Sequence, residues 1–336
     1  MRALPLPAAL SSAALATVLA LGLTACTGAP EADTSTSGDA SSDSAYPVTI
    51  TSCGHTSTLT APPEHAVTLN QGATEVALAL GVADQLAGTA YLDDSIPKKW
   101  RAAYDSVPVL SKEYPTREKL LATQPDFLYA SYSSAFDAKV AGTQKELDQE
   151  GIASYLSPFG CENESARPAA SFDAVWDEVD SVADAFGVPE RAAKLRTQQR
   201  ATLDRLGSQD AGRGLTVLWY DSGTKTPYVG AGHGGPQLIL DAIGATNIFA
   251  GMDGNWGDGN WEKIVAADPD VIVLADASWD TAKDKIAYLT KDPALSQLTA
   301  VKKRHFVTVP FSESTPGVRL VDGATAVARQ ITALGR

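Results

Sequence analysis

The side chains with chemical potential in this sequence point to recognition rather than to bond making. Its four histidines, His55, His65, His233 and His305, stand apart, with no HxxxH pair and no GxSxG context. Neither a nucleophile with its base nor a zinc or manganese cluster of converging histidines and carboxylates is legible. We expect no enzyme activity, no metal and no cofactor. What the sequence does supply is rings in segments that read as loops. These are Tyr91, Tyr114, Tyr132 and Phe136 in the first half, then Tyr220, Trp256 and Trp279 in the second. Rings on loops grip a large, flat or ringed ligand by stacking, with little entropy to lose.

Gln71 and His233 lie in two further loops, 70–74 and 230–235, and join the candidate set. Arg319, just after Thr315-Pro316-Gly317 at a helix start, is the best-placed cation for an anionic ligand; its bland alternative is a surface salt bridge. Gly230-Ala231-Gly232-His233-Gly234-Gly235 opens a helix, where free amides suit a carboxylate or phosphate. Its third glycine is misplaced for a dinucleotide fingerprint, and a tight strand-to-helix turn explains the glycines equally well. The run from Asp253 to Asn260 is rich in Asp, Asn and Gly, but its positions do not match a calcium loop.

The elements that must position these residues show themselves through a repeat. Glu118-Lys119-Leu120-Leu121-Ala122-Thr123-Gln124-Pro125-Asp126 returns as Glu262-Lys263-Ile264-Val265-Ala266-Ala267-Asp268-Pro269-Asp270. Each copy runs into an apolar stretch, Phe127–Ala130 and Val271–Leu274. The pattern predicts a short helix, a Pro that stops it and a buried strand. Two widely spaced copies imply two similar α/β lobes rather than a solenoid.

Around the repeat, the first half reads as a hairpin (48–52 with 56–60), strand 66–69, helix 74–80 and strand 86–90. A helix over 135–150 and strand 153–156 follow. From 171 to 206 only helix is legible, broken at Gly187-Val188-Pro189. The second half reads as strand 215–220, helix 237–243, the second repeat copy, helix 281–289, strand 305–309 and a terminal helix over 318–334. Alternating strands and helices predict an α/β fold with largely parallel, covered sheets. The ligand is then expected at the loops that follow the strand C-termini.

Arg2 precedes an apolar run from Ala8 to Leu23 that is too short for a stable membrane span, and Leu23-Thr24-Ala25-Cys26 closes it. This is similar to a bacterial lipobox, which predicts a signal peptide over 1–25 and lipidation of Cys26. Thr27–Ala45 has almost nothing to bury and reads as a disordered tether within 26–46. The net charge of −13 disfavours nucleic acid and polybasic membrane binding. Cys53 and Cys161 are the cysteines left after Cys26, and in an oxidising compartment two leftover cysteines more often pair than stay free. Such a bridge would contribute about 4–5 kcal/mol in the chain-entropy model.

With these elements in order, the mature chain from about Tyr46 onward resembles the substrate-binding lipoproteins of ABC importers for ferric siderophores, haem and cobalamin. The stretch Ala66–Glu75, then Ala79-Leu80-Gly81, both Glu-Lys…Pro-Asp copies and Gly244–Ile248 carry the resemblance. It implies two Rossmann-like lobes, over 47–165 and 211–336, bridged by one long helix within 166–210. Such a bridge permits only modest hinge motion. It also implies a ligand in the cleft between the lobes, and one surface Glu per lobe, here Glu118 and Glu262, that meets the transporter's membrane subunits. The protein would then be a monomer, exported and lipid-anchored to the outer face of the cell membrane. Its cargo would be a siderophore, a corrinoid or, on the stretches 68–75 and 88–94, a deazaflavin coenzyme precursor. A non-transport interaction lipoprotein is the alternative of another class, but it leaves the aromatic loops unexplained.

Overall fold

The computed structural model of the chain describes residues 46–335. The expected signal segment, the Cys26 lipidation site and all but the last residue of the tether lie outside them. First comes an antiparallel hairpin of β1 (Val48–Ser52) and β2 (His55–Leu59). Then follow β3 (Ala66–Leu69), α1 (Gln71–Leu80), β4 (Leu86–Ala90), α2 (Arg101–Asp105) and β5 (Val109–Ser111). The first half ends with α3 (Arg117–Leu121), β6 (Phe127–Ala130), α4 (Gln144–Gln149) and β7 (Ala153–Leu156). Its five-stranded sheet runs β5-β4-β3-β6-β7, parallel throughout. β6 is buried at every position because the sheet is covered on both faces.

Two helices follow, α5 (Phe172–Ala185) and α6 (Pro189–Gln209). The second half holds β8 (Thr216–Ser222), β9 (Tyr228–Gly230), α7 (Gly235–Ala242), β10 (Thr246–Asn247) and β11 (Trp256–Asp258). It closes with α8 (Trp261–Ala267), β12 (Val271–Asp276), α9 (Ala282–Lys291), α10 (Thr299–Lys302), β13 (Phe306–Pro310) and α11 (Leu320–Ala333). This sheet runs β11-β9-β8-β12-β13, with β10 also on β8. β8, β12 and β13 are parallel, while β9 and β11 reverse the direction.

The repeat has a structural reason. Gln124 and Asp268, each just before its Pro, sit at positive φ (51° and 41°) and turn the chain from helix to strand. The Asp that follows each Pro then anchors the neighbouring central strand. Asp126 accepts the backbone N–H groups of Glu64 and His65 at 2.7–3.1 Å, just before β3. Asp270 accepts the N–H and hydroxyl of Thr216, the first residue of β8, at 3.0 Å. In both halves this carboxylate sets the start of a parallel pair, β3 with β6 and β8 with β12.

One expectation needs correction. The helix expected over 135–150 is a 3-10 turn at Ser133–Phe136 followed by the short α4. Asp137 bonds to the N–H of Lys139 through its side chain and to that of Gly142 through its carbonyl, and this local turn outcompetes the helix. Thr143 and Glu146 then form a capping box that starts α4 afresh. The expected long bridging helix is α6. α6 places Ala192 and Leu195 in the core of the first sheet and Leu203 and Leu206 in that of the second. Its 21 residues span about 30 Å. α5 packs Val179, Val182 and Ala183 on the first core and Phe172 on the second.

Cys53 and Cys161 are joined by a disulfide, with Cα atoms 5.3 Å apart, which fastens the hairpin to the segment after β7. Among the described residues, no helix is long and apolar enough to cross a membrane.

Removing either anchoring carboxylate, Asp126→Ala or Asp270→Ala, should lower unfolding stability by about 1–2 kcal/mol in urea titrations. A loss within about 0.5 kcal/mol, the range of an ordinary surface substitution, would refute the anchoring role.

Candidate ligand-binding cleft

In the first sheet the chain runs from β3 outward to β4 and β5, then returns to β6 and β7 on the other side. The point where that order reverses lies between β3 and β6, the place where open α/β sheets leave a crevice. A cavity of about 220 Å³ occupies it. From the first half it is lined by Gln71, Gly72 and Glu75 after β3, Asp93 after β4, Ser131 and Tyr132 after β6, and Phe159 after β7, with Tyr129 and Glu178 also on its wall. The second half contributes Asn255 and Trp256 at β11 and the segment from Phe311 to Arg319 after β13.

The two halves deliver a ring in the same way. Ser157-Pro158-Phe159 follows β7, and Val309-Pro310-Phe311 ends β13. β7 pairs with β6 as β13 pairs with β12, so Phe159 and Phe311 occupy equivalent places and both half-buried rings border the cavity. A Cβ on Gly160 would lie 1.9 Å from the Ser131 carbonyl oxygen, so only glycine lets the Phe159 loop close on the loop after β6. On the other side Phe311 stands between Trp256 and Trp279, with centroids 6.5 and 5.3 Å away. Trp279, 59% exposed, prolongs this row of rings outward.

Of the residues expected at the site, the structure brings Gln71, Tyr132, Trp256 and Arg319 to the cavity wall. Tyr91 and Tyr114 meet edge to face at 4.5 Å in adjoining loops. Tyr114 is hydrogen-bonded to Asn70 and Ser134. Asn70 and Tyr91, at the ends of β3 and β4, both take positive φ (75° and 61°), a conformation that neighbouring structure must hold in place.

Two expected site residues lie elsewhere. Tyr220 is 1% exposed in the core under α8, with its hydroxyl on the Gly223 carbonyl and its ring against Trp261. His233 lies exposed beside Asp253, outside the cavity. The amides of Ala231, Gly232 and His233 donate to the carbonyls of Asn255, Met252 and Gly254, so these three are not free to cradle an anion. A tight turn explains its glycines: a Cβ on Gly232 would lie 2.1 Å from the Ala250 carbonyl oxygen.

Arg319 does not offer a free charge. Its guanidinium is 5% exposed and donates to Glu75 at 3.0 Å, to Ser312 at 2.6 Å and to Glu313 at 2.5 Å. Gln71 also donates to Glu75, at 2.6 Å, and accepts the backbone N–H of Asp94. Ser312 closes the ring by donating to Asp94 at 2.6 Å. Burial pushes the Glu75 carboxyl up to about 7, although Arg319 and Gln71 act the other way. Glu178, buried and accepting from the Tyr129 hydroxyl at 2.7 Å, is pushed up to about 6 by the same cause. Asp93 is raised by burial and then by neighbouring Asp94.

Sequence reading missed Glu75, Asp93, Glu178, Phe159 and Phe311 as individual site residues. The repeated Pro-Phe after the last strand of each half was the available signal for the two rings. Nothing local marks Glu178, which lies mid-helix in α5 and reaches the cavity through the fold.

Arg319→Ala strands Glu75 and should destabilise the fold by about 3–5 kcal/mol. Arg319→Met with Glu75→Gln and Glu313→Gln strands neither carboxylate and should recover part of that loss. If the triple change is as damaging as Arg319→Ala, the ionic account fails. Glu178 contributes a pH dependence whose sign follows from its raised carboxyl. The native state holds the proton more tightly than the unfolded chain, so stability falls as pH rises from 4.5 through 6. Glu178→Gln should abolish about 2 kcal/mol of that fall, read from urea midpoints at pH 4.5 and 7.5; an unchanged slope would assign the titration elsewhere.

A periplasmic binding protein family model matches residues 67–313. An uncharacterized ABC transporter substrate-binding lipoprotein of Bacillus subtilis, YvrC, is 25% identical over 292 residues, covering 85% of this chain and 86% of that protein. A vitamin B12-binding protein of Yersinia pseudotuberculosis is 26% identical over 216 residues, 63% of this chain and 69% of its own. A solved periplasmic binding protein from Veillonella parvula superposes with a TM-score of 0.73 at 30% identity, covering 85% of this chain and 97% of its own. The family match runs from β3 through β13, and the chain belongs to the periplasmic binding protein family.

Proposed function

We propose that this chain is the exported, lipid-anchored binding subunit of an ABC importer, and that its cleft carries a ferric siderophore or a similarly large ringed ligand. The observation that carries this reading is the cavity at the sheet switch point, walled by rings from both halves. At about 220 Å³ it falls below the roughly 300–1,000 Å³ of sites that engulf a ligand. The cargo would therefore be gripped by one edge, with its remainder against the outer rings Trp279 and Tyr132, both exposed. A corrinoid is the second reading, supported by the vitamin B12-binding relatives. A deazaflavin precursor with its phosphate fits less well, because Arg319 is already paired.

Glu118 and Glu262 are the proposed contacts for the importer's membrane subunits. Both lie exposed in the first turns of α3 and α8, whose N-caps are Thr116 and Asn260. Hydrogen bonds from its own backbone and from Thr116 hold the Glu118 carboxyl below its ordinary range, so it stays ionised. Two carboxylates on equivalent helices give a receptor two matched anchor points for arginines.

Cells carrying Glu118→Arg with Glu262→Arg should lose uptake of a labelled ferric siderophore to the level of a deletion strain. The purified variant should still bind that ligand as the parent does. Normal uptake would remove the docking role, and parent cells no better than the deletion strain would remove the import role.

A further inference from the structure

We propose that the cleft selects cargo carrying no net negative charge, and that the bound edge of the cargo presents neutral oxygen acceptors such as carbonyl groups. This rests on the reading of the cleft as the importer's ligand site, and it names the chemical class that site takes.

The charge inventory points there first. Glu75, Asp93 and Glu178 line the cavity, and among its lining residues Arg319 is the sole cation. Both ends of that cation are already matched, by Glu75 and by Glu313. The wall therefore carries an excess of carboxylate, in a place where burial leaves little water to screen a further charge. A carboxylate or phosphate entering here would meet like charge on the first half and a guanidinium with no charge to spare on the second. It would also raise carboxyls that burial has already lifted, Glu75 and Glu178.

The hydrogen-bond inventory supplies the other half of the argument. Two cavity-lining residues, Trp256 and Arg319, each hold a buried N–H without a partner, Nε1 and Nε respectively. Neither atom is open to solvent, so an acceptor reaches either one only as the side chains around it give way. Unpartnered buried donors are rare in folded proteins and call for an acceptor. An acceptor that also avoids the surrounding carboxylates is an uncharged oxygen, and a cationic group elsewhere on the ligand would gain from Asp93 and Glu178.

The test varies charge on fixed scaffolds, with the full chain in detergent and Trp fluorescence as the readout. One scaffold is a linear ferric trihydroxamate whose free end is an ammonium, an acetamide or a succinamate. The other is cobalamin and its monocarboxylic acid. On whichever scaffold binds, the cationic and neutral forms should bind at least about tenfold more tightly than the anionic form. Asp93→Asn and Glu178→Gln, singly and together, should narrow that gap, with circular dichroism confirming the fold. Anionic forms that bind as tightly as neutral ones, or a gap that neither substitution moves, would overturn the charge selection and leave the importer reading intact. Failure of both scaffolds to bind would overturn the ligand-site reading and this inference with it.

Discussion

The structure turns on a guanidinium taken out of water where its two halves meet. Arg319, at the N-cap of α11 in the second half, reaches Glu75 on α1 of the first. A ring of hydrogen bonds runs from Arg319 through Glu75, Gln71, Asp94 and Ser312 back to Arg319. A buried ion pair of this kind contributes little net stability, but losing one member is expensive, so it acts as a constraint on geometry. The segment just before it is held as firmly. Val318 is buried in the core of the first sheet, and its carbonyl accepts from Gln199 in the middle of α6. Gln199 also accepts from Trp176 on α5, so bridge, first half and second half are tied at one point.

That tie could not be read from the sequence. Arg319 was legible as a cation at a helix start, but its partner stands 244 residues away in the chain, and pairing at such a distance exists only in the folded molecule. The repeat was legible because both halves solve the same local problem. Each needs a helix, a left-handed residue, a Pro and an Asp that anchors the adjacent strand, and that demand is written in neighbouring residues. The buried strands were legible for a related reason, since a parallel strand covered on both faces reads as an unbroken apolar run.

Where the outcome depended on competition, sequence patterning failed. Residues 135–150 have helical composition, yet Asp137 and Gly142 turn the chain before a helix can form. β9 and β11 are three residues each and pair with one another, too short and too rich in Gly to show a period. Tyr220 sits near the end of a strand and was assigned to the cleft, but α8 and α9 cover it with Trp261 and Tyr288. The glycine run at 230–235 had two readings in sequence. The amides of Ala231, Gly232 and His233 bond to the loop that leads into β11, which favours the turn at these positions.

The same competition explains why the cleft is acidic although a cation lies in its wall. Folding consumes the charge of Arg319 to join the halves, and in doing so it buries the Glu75 carboxylate and half-buries that of Glu313. What remains for a ligand is directional rather than electrostatic: unpartnered N–H donors, and rings presented by matching Pro-Phe turns from both sheets. Donors and rings recognise shape and neutral acceptors, whereas a free arginine would have drawn any anion. The interaction that joins the two halves therefore also sets what the space between them can accept.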